Sequence, residues 1–217
     1  MPVLTIPLLM TRAFALHRVE TCRVLLVALS KIEEHAAEEN TPVTVYAHEL
    51  SVFGLSSMMR SKALLIAQEE LLSSIPLSTM PYDALSEFVW ALEANYSTSE
   101  DSLSIYFAES AIKEWQQRRE AVVSMSLDSF KAVPSGTAIA LLMLTSFLPA
   151  ETAHEFSREE IQYYLGIETK TYAHIRKVLR KALAVLDANP LVPFTIKVEE
   201  RKESSKVVGL TLTTHLR

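Results

Sequence analysis

Apolar residues recur at helical spacing along residues 157–183, which predicts a short helix, a turn at Gly166 and a longer helix. Ser157, followed three residues later by Glu160, is the capping-box pattern that begins a helix. Gly166 can adopt the left-handed conformation that ends the first helix, and Thr169 is expected to cap the second. Two helices joined by a short glycine-containing turn predict a helix-turn-helix unit.

The longer helix has one apolar and one basic face. The residues expected to face the core recur at helical spacing and are Tyr172, Ile175, Val178, Leu179, Ala182, Leu183 and Leu186. The residues expected to contact DNA are Lys170, Thr171, Tyr172, His174, Arg176, Lys177, Arg180 and Lys181. The alternative is an ordinary helix with a solvated basic face, since charged runs usually serve solubility.

A period of two follows the basic helix and predicts a β-hairpin. Its apolar positions alternate as Phe194, Ile196 and Val198, then as Val208, Leu210 and Leu212. Its tip carries Arg201, Lys202 and Lys206 among the acids Glu199, Glu200 and Glu203. Helix, turn, helix and hairpin in this order predict a winged helix, whose second helix reads the major groove and whose wing contacts phosphate or the minor groove.

The first half of the chain has the same order of elements. Its pattern predicts a helix over residues 18–38, an extended piece over 41–45, a short helix over 47–53, a turn at Gly54, a helix over 57–73, and a hairpin whose strands cover 85–96 and 103–107. Phe88, Trp90 and Leu92 alternate in the first of these strands. Helices over 109–120 and 135–147, with an extended piece over 122–131, lead to the second unit.

An internal repeat relates the two halves. A shift of 112 residues, the distance from Gly54 to Gly166, also aligns Leu71 with Leu183 and Leu29 with Leu141. The sequence therefore predicts an α+β, mostly helical fold with two tandem winged-helix domains, residues 1–122 and 123–217.

Charge distinguishes the two halves. The chain has a net charge of -5, and residues 1–120 hold 9 basic and 16 acidic residues, which leaves 12 and 10 for residues 121–217. The C-terminal half is therefore the better candidate for binding a polyanion. The first domain is expected to serve dimerisation and positioning, with weaker DNA contact through Ser57, Arg60, Ser61 and Lys62, because its hairpin tip carries Glu100 and Asp101.

Composition argues against several other functions. An apolar content of 49% predicts a packed core, and no apolar run reaches the length of a membrane span. The lone Cys22 favours a reducing compartment, and the N-terminus carries no signal-peptide pattern. Four glycines in no nucleotide-binding fingerprint and six scattered histidines give no sign of a cofactor or metal site. We therefore expect no enzymatic activity.

The order and spacing of these segments resemble plasmid replication initiators of the iteron-binding Rep type. The matching segments are residues 18–26, 45–55, 95–107, 156–161, 165–167 and 176–183, together with Tyr172. The resemblance implies two winged helices that bind repeated origin sites, called iterons, in double-stranded DNA. It further implies monomers that open replication, homodimers that repress it, and recruitment of host replication proteins such as a helicase or initiator. A cytoplasmic protein of a bacterial plasmid or phage is expected.

Two other functions are compatible with the same residues. A tandem winged-helix transcription regulator without origin activity would use the same basic helix. A protein-interaction module that has lost DNA affinity is supported by the acidity of the first domain.

Overall fold

The computed structural model describes residues 3–8, 10–35, 41–77, 86–117, 122–167 and 171–217. Thr169 and Lys170, predicted to cap the second helix and to contact DNA, lie outside these residues, as do the ends of the helices predicted over 18–38 and 109–120. Within them, no single helix is long and apolar enough to span a membrane. Ala47–Phe53 and Ser57–Glu70, which meet at a bend of 107°, would be long and apolar enough only if taken together.

The helices are α1 (Met10–Ala15), α2 (Val19–His35), α3 (Ser57–Glu70), α4 (Glu109–Gln117), α5 (Gly136–Ser146), α6 (Arg158–Tyr164) and α7 (Tyr172–Ala188), with 3-10 turns at Ala47–Phe53 and Leu127–Phe130. The strands are β1 (Val3–Pro7), β2 (Val43–Tyr46), β3 (Ile75–Leu77), β4 (Ser86–Phe88), β5 (Ala91–Ser97), β6 (Ser102–Phe107), β7 (Val122–Ser126), β8 (Ala153–Ser157), β9 (Phe194–Glu203) and β10 (Lys206–Leu216).

Two three-stranded antiparallel sheets share one topology. Their strand orders are β2-β6-β5 and β8-β10-β9. In each sheet a short strand precedes the helix-turn-helix and pairs with the second strand of the hairpin that follows it. The predicted α+β fold with two tandem winged helices is therefore confirmed. The sequence pattern missed β8, because its residues AHEFS show no apolar alternation.

One hydrophobic core connects the two units. It includes Phe14 and Trp90, which are fully buried, and nearly all of α5. Leu141 and its neighbours on α5 are buried all round the helix, which is why this helix is apolar without a polar face. β1 pairs with β7, so the N-terminal strand returns to the segment that leads into the second unit. The domain boundary at residues 122 and 123 stays a prediction.

The first strand predicted for the first hairpin is corrected by the structure. Residues 86–97 form two strands instead of one. β4 pairs with β3, whereas β5 pairs with β6 to form the wing. A register shift at the start of β5 leaves Leu92 75% exposed, while Phe88 and Trp90 are buried. Because an extra residue in a strand reverses its inward and outward positions, the alternation that placed Leu92 with Phe88 and Trp90 was wrong.

Candidate nucleic-acid interface

Local hydrogen bonds fix the start of α6, the first helix of the second helix-turn-helix. The backbone N–H of Glu160 donates to Ser157 Oγ at 3.1 Å, and the backbone N–H of Ser157 donates to Glu160 Oε2 at 2.7 Å, which confirms the capping box. Gly166 has a φ of 60°, as its predicted place in the turn requires. α7 begins at Tyr172, so the residue at its N-cap position is Thr171 and not the predicted Thr169.

α7 separates apolar and basic side chains as the sequence predicted. Ile175, Leu179, Ala182 and Leu186 are buried, and Tyr172, Val178 and Leu183 are half-buried. Thr171, His174, Arg176, Lys177, Arg180 and Lys181 are exposed. The buried positions fall on one side of a 3.6-residue turn, so packing of that side presents the cations to solvent.

Glu200 joins α7 to the wing. Its Oε1 accepts a hydrogen bond from the Tyr172 hydroxyl at 3.0 Å and lies 3.4 Å from Arg176 Nε. Its Oε2 lies 3.4 Å from Lys202 Nζ. Burial, followed by the hydrogen bond to Glu200, raises the pKa of Tyr172 to about 12, and the Tyr172 hydroxyl lowers the pKa of Glu200. Tyr172 therefore stays protonated at neutral pH and holds helix and wing together.

The cations of this surface divide into paired and unpaired groups. Arg176 and Lys202 contact Glu200, while Arg201 Nη2 lies 3.0 Å from Glu155 Oε2 on β8. Within the part of the chain that the structure describes, no ion pair or hydrogen bond involves the side chains of Lys177, Arg180, Lys181 and Lys206. These four cations can contact a polyanion without first breaking a protein contact.

A groove of about 470 Å³ lies between α7 and the wing. Leu179, Leu183 and Val198 contribute apolar surface to its lining, and Arg176 and Arg180 line it as well. The acids Asp187 and Glu200 line the same groove. The unpaired Lys177, Arg180 and Lys181 lie along α7 beside it, and clustered positive charge of this kind attracts a duplex backbone.

The first unit presents a different surface. Ser57 and Lys62 are exposed on α3, whereas Arg60 and Ser61 are half-buried. The Ser61 hydroxyl donates to Asp101 Oδ2 at 2.7 Å, so it already has a partner. Two of the four residues predicted to contact DNA here are therefore less accessible than the sequence suggested.

Two features of the first unit were not foreseen from the sequence. Met58, on the first turn of α3, is 81% exposed, although large apolar side chains are usually buried. Asp101, which we interpreted as a repulsive wing tip, accepts hydrogen bonds from Ser61 and from the Tyr96 hydroxyl at 2.8 Å. The sequence signal for Asp101 was its place in the turn, where aspartate tolerates the observed φ of 48°.

The metal-ligating and nucleophilic side chains of the described residues give no second candidate site. Among the residues that the structure describes, no three His, Cys, Asp or Glu side chains cluster as metal ligands. The Cys22 thiol is buried and lies 3.1 Å from the carbonyl oxygen of Phe14, and burial raises its pKa. A thiol that stays protonated is a poor nucleophile.

Comparisons with known proteins agree with this architecture. The sequence family described as "Initiator Replication protein, WH1" matches residues 9–146. The solved structure of the Pi initiator protein in complex with iteron DNA is similar, with a TM-score of 0.81, 16% identity and coverage of 100% of this chain and 98% of that one.

A second solved structure, of domains 2 and 3 of RctB, has a TM-score of 0.53 and 10% identity, and covers 95% of this chain and 81% of that one. No curated protein sequence matches the chain. At these identities the two structures establish the shared fold.

Proposed function

The chain belongs to the initiator replication protein family, and we propose that it initiates replication by binding repeated sites, of the iteron kind, in double-stranded origin DNA. The family match covers residues 9–146 and agrees with the resemblance seen in the sequence. In this proposal α7 lies in the major groove and the β9–β10 hairpin follows the neighbouring backbone.

One observation supports the proposal most strongly. In a protein with a net charge of -5, four of the exposed cations without partners among the described residues lie on α7 and in the wing, namely Lys177, Arg180, Lys181 and Lys206, whereas α3 of the first unit has only Lys62. Charges that serve only solubility can lie anywhere on the surface. Binding to a duplex instead requires several cations close together on one surface. Lys170, adjacent to Thr171 in the sequence, would add to this set.

We further propose that the first unit forms a homodimer that represses replication or its own expression. β5 is an edge strand of its sheet, and it exposes Leu92. An exposed edge with an apolar side chain can pair with a second copy.

Host replication proteins such as a helicase or initiator are the further partners that family membership favours. We expect the protein to act in the bacterial cytoplasm, on plasmid or phage DNA, without catalysis of its own.

Two alternatives make different predictions. A transcription regulator would bind one operator and not a series of direct repeats. An interaction module would bind no DNA, and the exposed Met58 together with the acidity of residues 1–120 favours it.

Selection of bound sequences from a pool of random duplexes by the full chain distinguishes these functions. The initiator proposal predicts one enriched motif that recurs as direct repeats in the DNA carrying the gene. An enriched motif found once, near a promoter, would support the regulator. Absence of any enrichment at low salt would contradict both DNA-binding functions.

A further inference from the structure

A short segment before the first winged helix contacts both units. This segment, residues 10–17, consists of α1 with Leu16 and His17, and we call it the bridging segment. α1 packs against α5 and α6 of the second unit and against β3 of the first. The proposed DNA function gives this segment no role, although its contacts lie close to the second helix-turn-helix.

Arg12 is the polar centre of the bridging segment. It is only 7% exposed. Its Nη1 donates to the Tyr163 carbonyl oxygen at 2.9 Å, and its Nε donates to the Pro76 carbonyl oxygen at 3.1 Å. The guanidinium carbon lies 4.7 Å from the centre of the Tyr163 ring. Arg12 thereby joins β3 of the first unit to the end of α6, the first helix of the second helix-turn-helix.

The chemistry at Tyr163 suits a cation. Its carbonyl lies at the C-terminal end of α6 and accepts the Gly166 backbone N–H at 3.2 Å, so the Arg12 guanidinium adds a second, charge-assisted donor to the same oxygen. A buried guanidinium requires hydrogen-bond partners in fixed positions, because an unsatisfied buried charge is costly. A planar group that must satisfy two carbonyls on different units restricts how those units can move relative to each other.

Close backbone contacts reinforce this restriction. A Cβ atom on Gly166, in the turn before α7, would lie 3.0 Å from Ala15 Cβ and 3.2 Å from Leu16 Cδ2. A Cβ atom on Gly136, at the start of α5, would lie 2.4 Å from the His17 carbonyl oxygen. The turn that precedes α7 therefore rests directly on the bridging segment.

We infer that Arg12 is a positioning residue that fixes α7 relative to α3 and so sets the base-pair spacing between the two halves of the DNA site. The inference rests on the proposed function, together with the weaker contact of α3 with a second half of the site that the resemblance in the sequence implies. One added base pair rotates the second half-site by about 34–36° on a duplex of 10–10.5 base pairs per turn. If the two winged helices are held rigidly, they cannot both contact DNA after such a rotation and affinity falls. If they are held loosely, both can still bind.

The test uses the full chain and the duplex that the wild type selects from random DNA. A series of duplexes carries one to three base pairs inserted or deleted between the two halves, and one further probe keeps only the half bound by α7. The wild type should lose about tenfold in affinity or more for the first inserted base pair. Arg12→Gln should lose only about twofold across the same change, with unchanged affinity for the single half.

Arg18→Gln is the matched control, because Arg18 is an arginine close by in sequence but exposed, with its Nε 3.1 Å from Glu70 Oε1 within the first unit. It should keep the wild-type spacing profile. A merely destabilised protein would bind every duplex less well and leave the ratio between spacings unchanged. If Arg12→Gln does not fold, Leu16→Ala replaces it, since Leu16 contacts the Gly166 turn without a buried charge.

The outcomes separate the inference from the proposed function. A wild type that selects no sequence overturns both. A wild type with a two-part site, combined with a folded Arg12→Gln or Leu16→Ala of unchanged spacing profile, overturns the positioning role alone. A selected site that only α7 occupies also overturns it, because no spacing then remains to be set.

Discussion

The hydroxyl of Tyr172, on the first turn of α7, donates to the Glu200 carboxylate on β9 at 3.0 Å. The first unit contains a similar contact, because the Ser61 hydroxyl on α3 donates to Asp101 in the wing turn at 2.7 Å. In both units a carboxylate of the hairpin thus accepts a hydrogen bond from the second helix of the helix-turn-helix. In the second unit the same carboxylate also partly neutralises Arg176 and Lys202.

Replacing Glu200 should strengthen binding to DNA of any sequence. Glu200→Gln releases Arg176 and Lys202 from their ion pairs, so both can contact phosphate. We expect tighter binding to random duplex and a log–log salt dependence steeper by about 1–2, since each phosphate contact adds about 0.9. Titration of a random duplex at several salt concentrations measures both quantities.

Glu203→Gln is the control, because it removes the same charge from the same hairpin and leaves the contacts of Glu200 intact. Tyr172→Phe removes the hydrogen bond while the ion pairs stay, so it should loosen the wing without the gain in random-duplex affinity. Equal effects of Glu200→Gln and Glu203→Gln would mean that net charge alone is responsible.

The wild type should itself show a clear salt dependence on its selected duplex. Four cations on α7 and in the β9–β10 hairpin have no partner among the described residues, namely Lys177, Arg180, Lys181 and Lys206. If each neutralises one phosphate, the log–log slope should be about -3 to -4. Affinity that does not change between low and physiological salt would argue against electrostatic docking through this surface.

Glu70 should stabilise the fold in a pH-dependent way. Burial alone would raise its pKa, but hydrogen bonds from His17, Thr21 and the Arg18 amide outweigh burial and lower the pKa from 4.5 to about 2. Because the folded pKa lies below the unfolded one, this stabilisation is complete above about pH 4.5 and is lost as the pH falls towards 2.

Glu70→Gln tests this contribution at neutral pH. Solvent partly screens these contacts, because the Glu70 side chain is 24% exposed, and we expect the free energy of unfolding to fall by about 1–2 kcal/mol. Denaturant unfolding at pH 7 and at several values below 4.5 should show the two proteins converging in acid. Glu69→Gln, its exposed neighbour, should unfold like the wild type, and a pH-independent difference for Glu70→Gln would refute the linkage.

Gly136→Ala should disturb the contact between α5 and the bridging segment. Its new methyl group would lie 2.4 Å and 2.6 Å from the carbonyl oxygens of His17 and Phe14, and backbone atoms must move to accept it. Overpacking of this kind outweighs the gain in helix propensity, so we expect a net loss of about 2 kcal/mol in unfolding free energy. Thermal unfolding checks this against Thr137→Ala, and a variant as stable as the wild type would show that the contact is loose.

The sequence predicted those features that depend on local pattern. The capping box at Ser157, the left-handed turn at Gly166 and the alternation in β9 each involve residues close in sequence, whereas a register shift at Val208 interrupts the alternation predicted for β10. The basic face of α7 followed from the same periodicity. The repeated order of elements along the chain was enough to indicate two winged helices.

Features that depend on distant residues escaped the sequence analysis. Arg12 contacts Pro76 and Tyr163, which lie 64 and 151 positions away, and a single arginine in an apolar stretch was its only signal. The register shift that exposes Leu92 needs the partner strand to define it. The pairing of Ser61 with Asp101 likewise requires the wing to fold back onto α3.

The central claim is that α7 is the helix that reads DNA. Its most direct test compares Arg180→Ala with Lys62→Ala on the duplex that the wild type selects, at one fixed salt concentration. Arg180 and Lys62 are exposed cations on the second helices of the two units. Arg180→Ala should weaken binding about 5- to 150-fold, as the loss of one good base contact does, and Lys62→Ala by no more than about threefold. Wild-type affinity for Arg180→Ala, with a large loss for Lys62→Ala, would contradict the account.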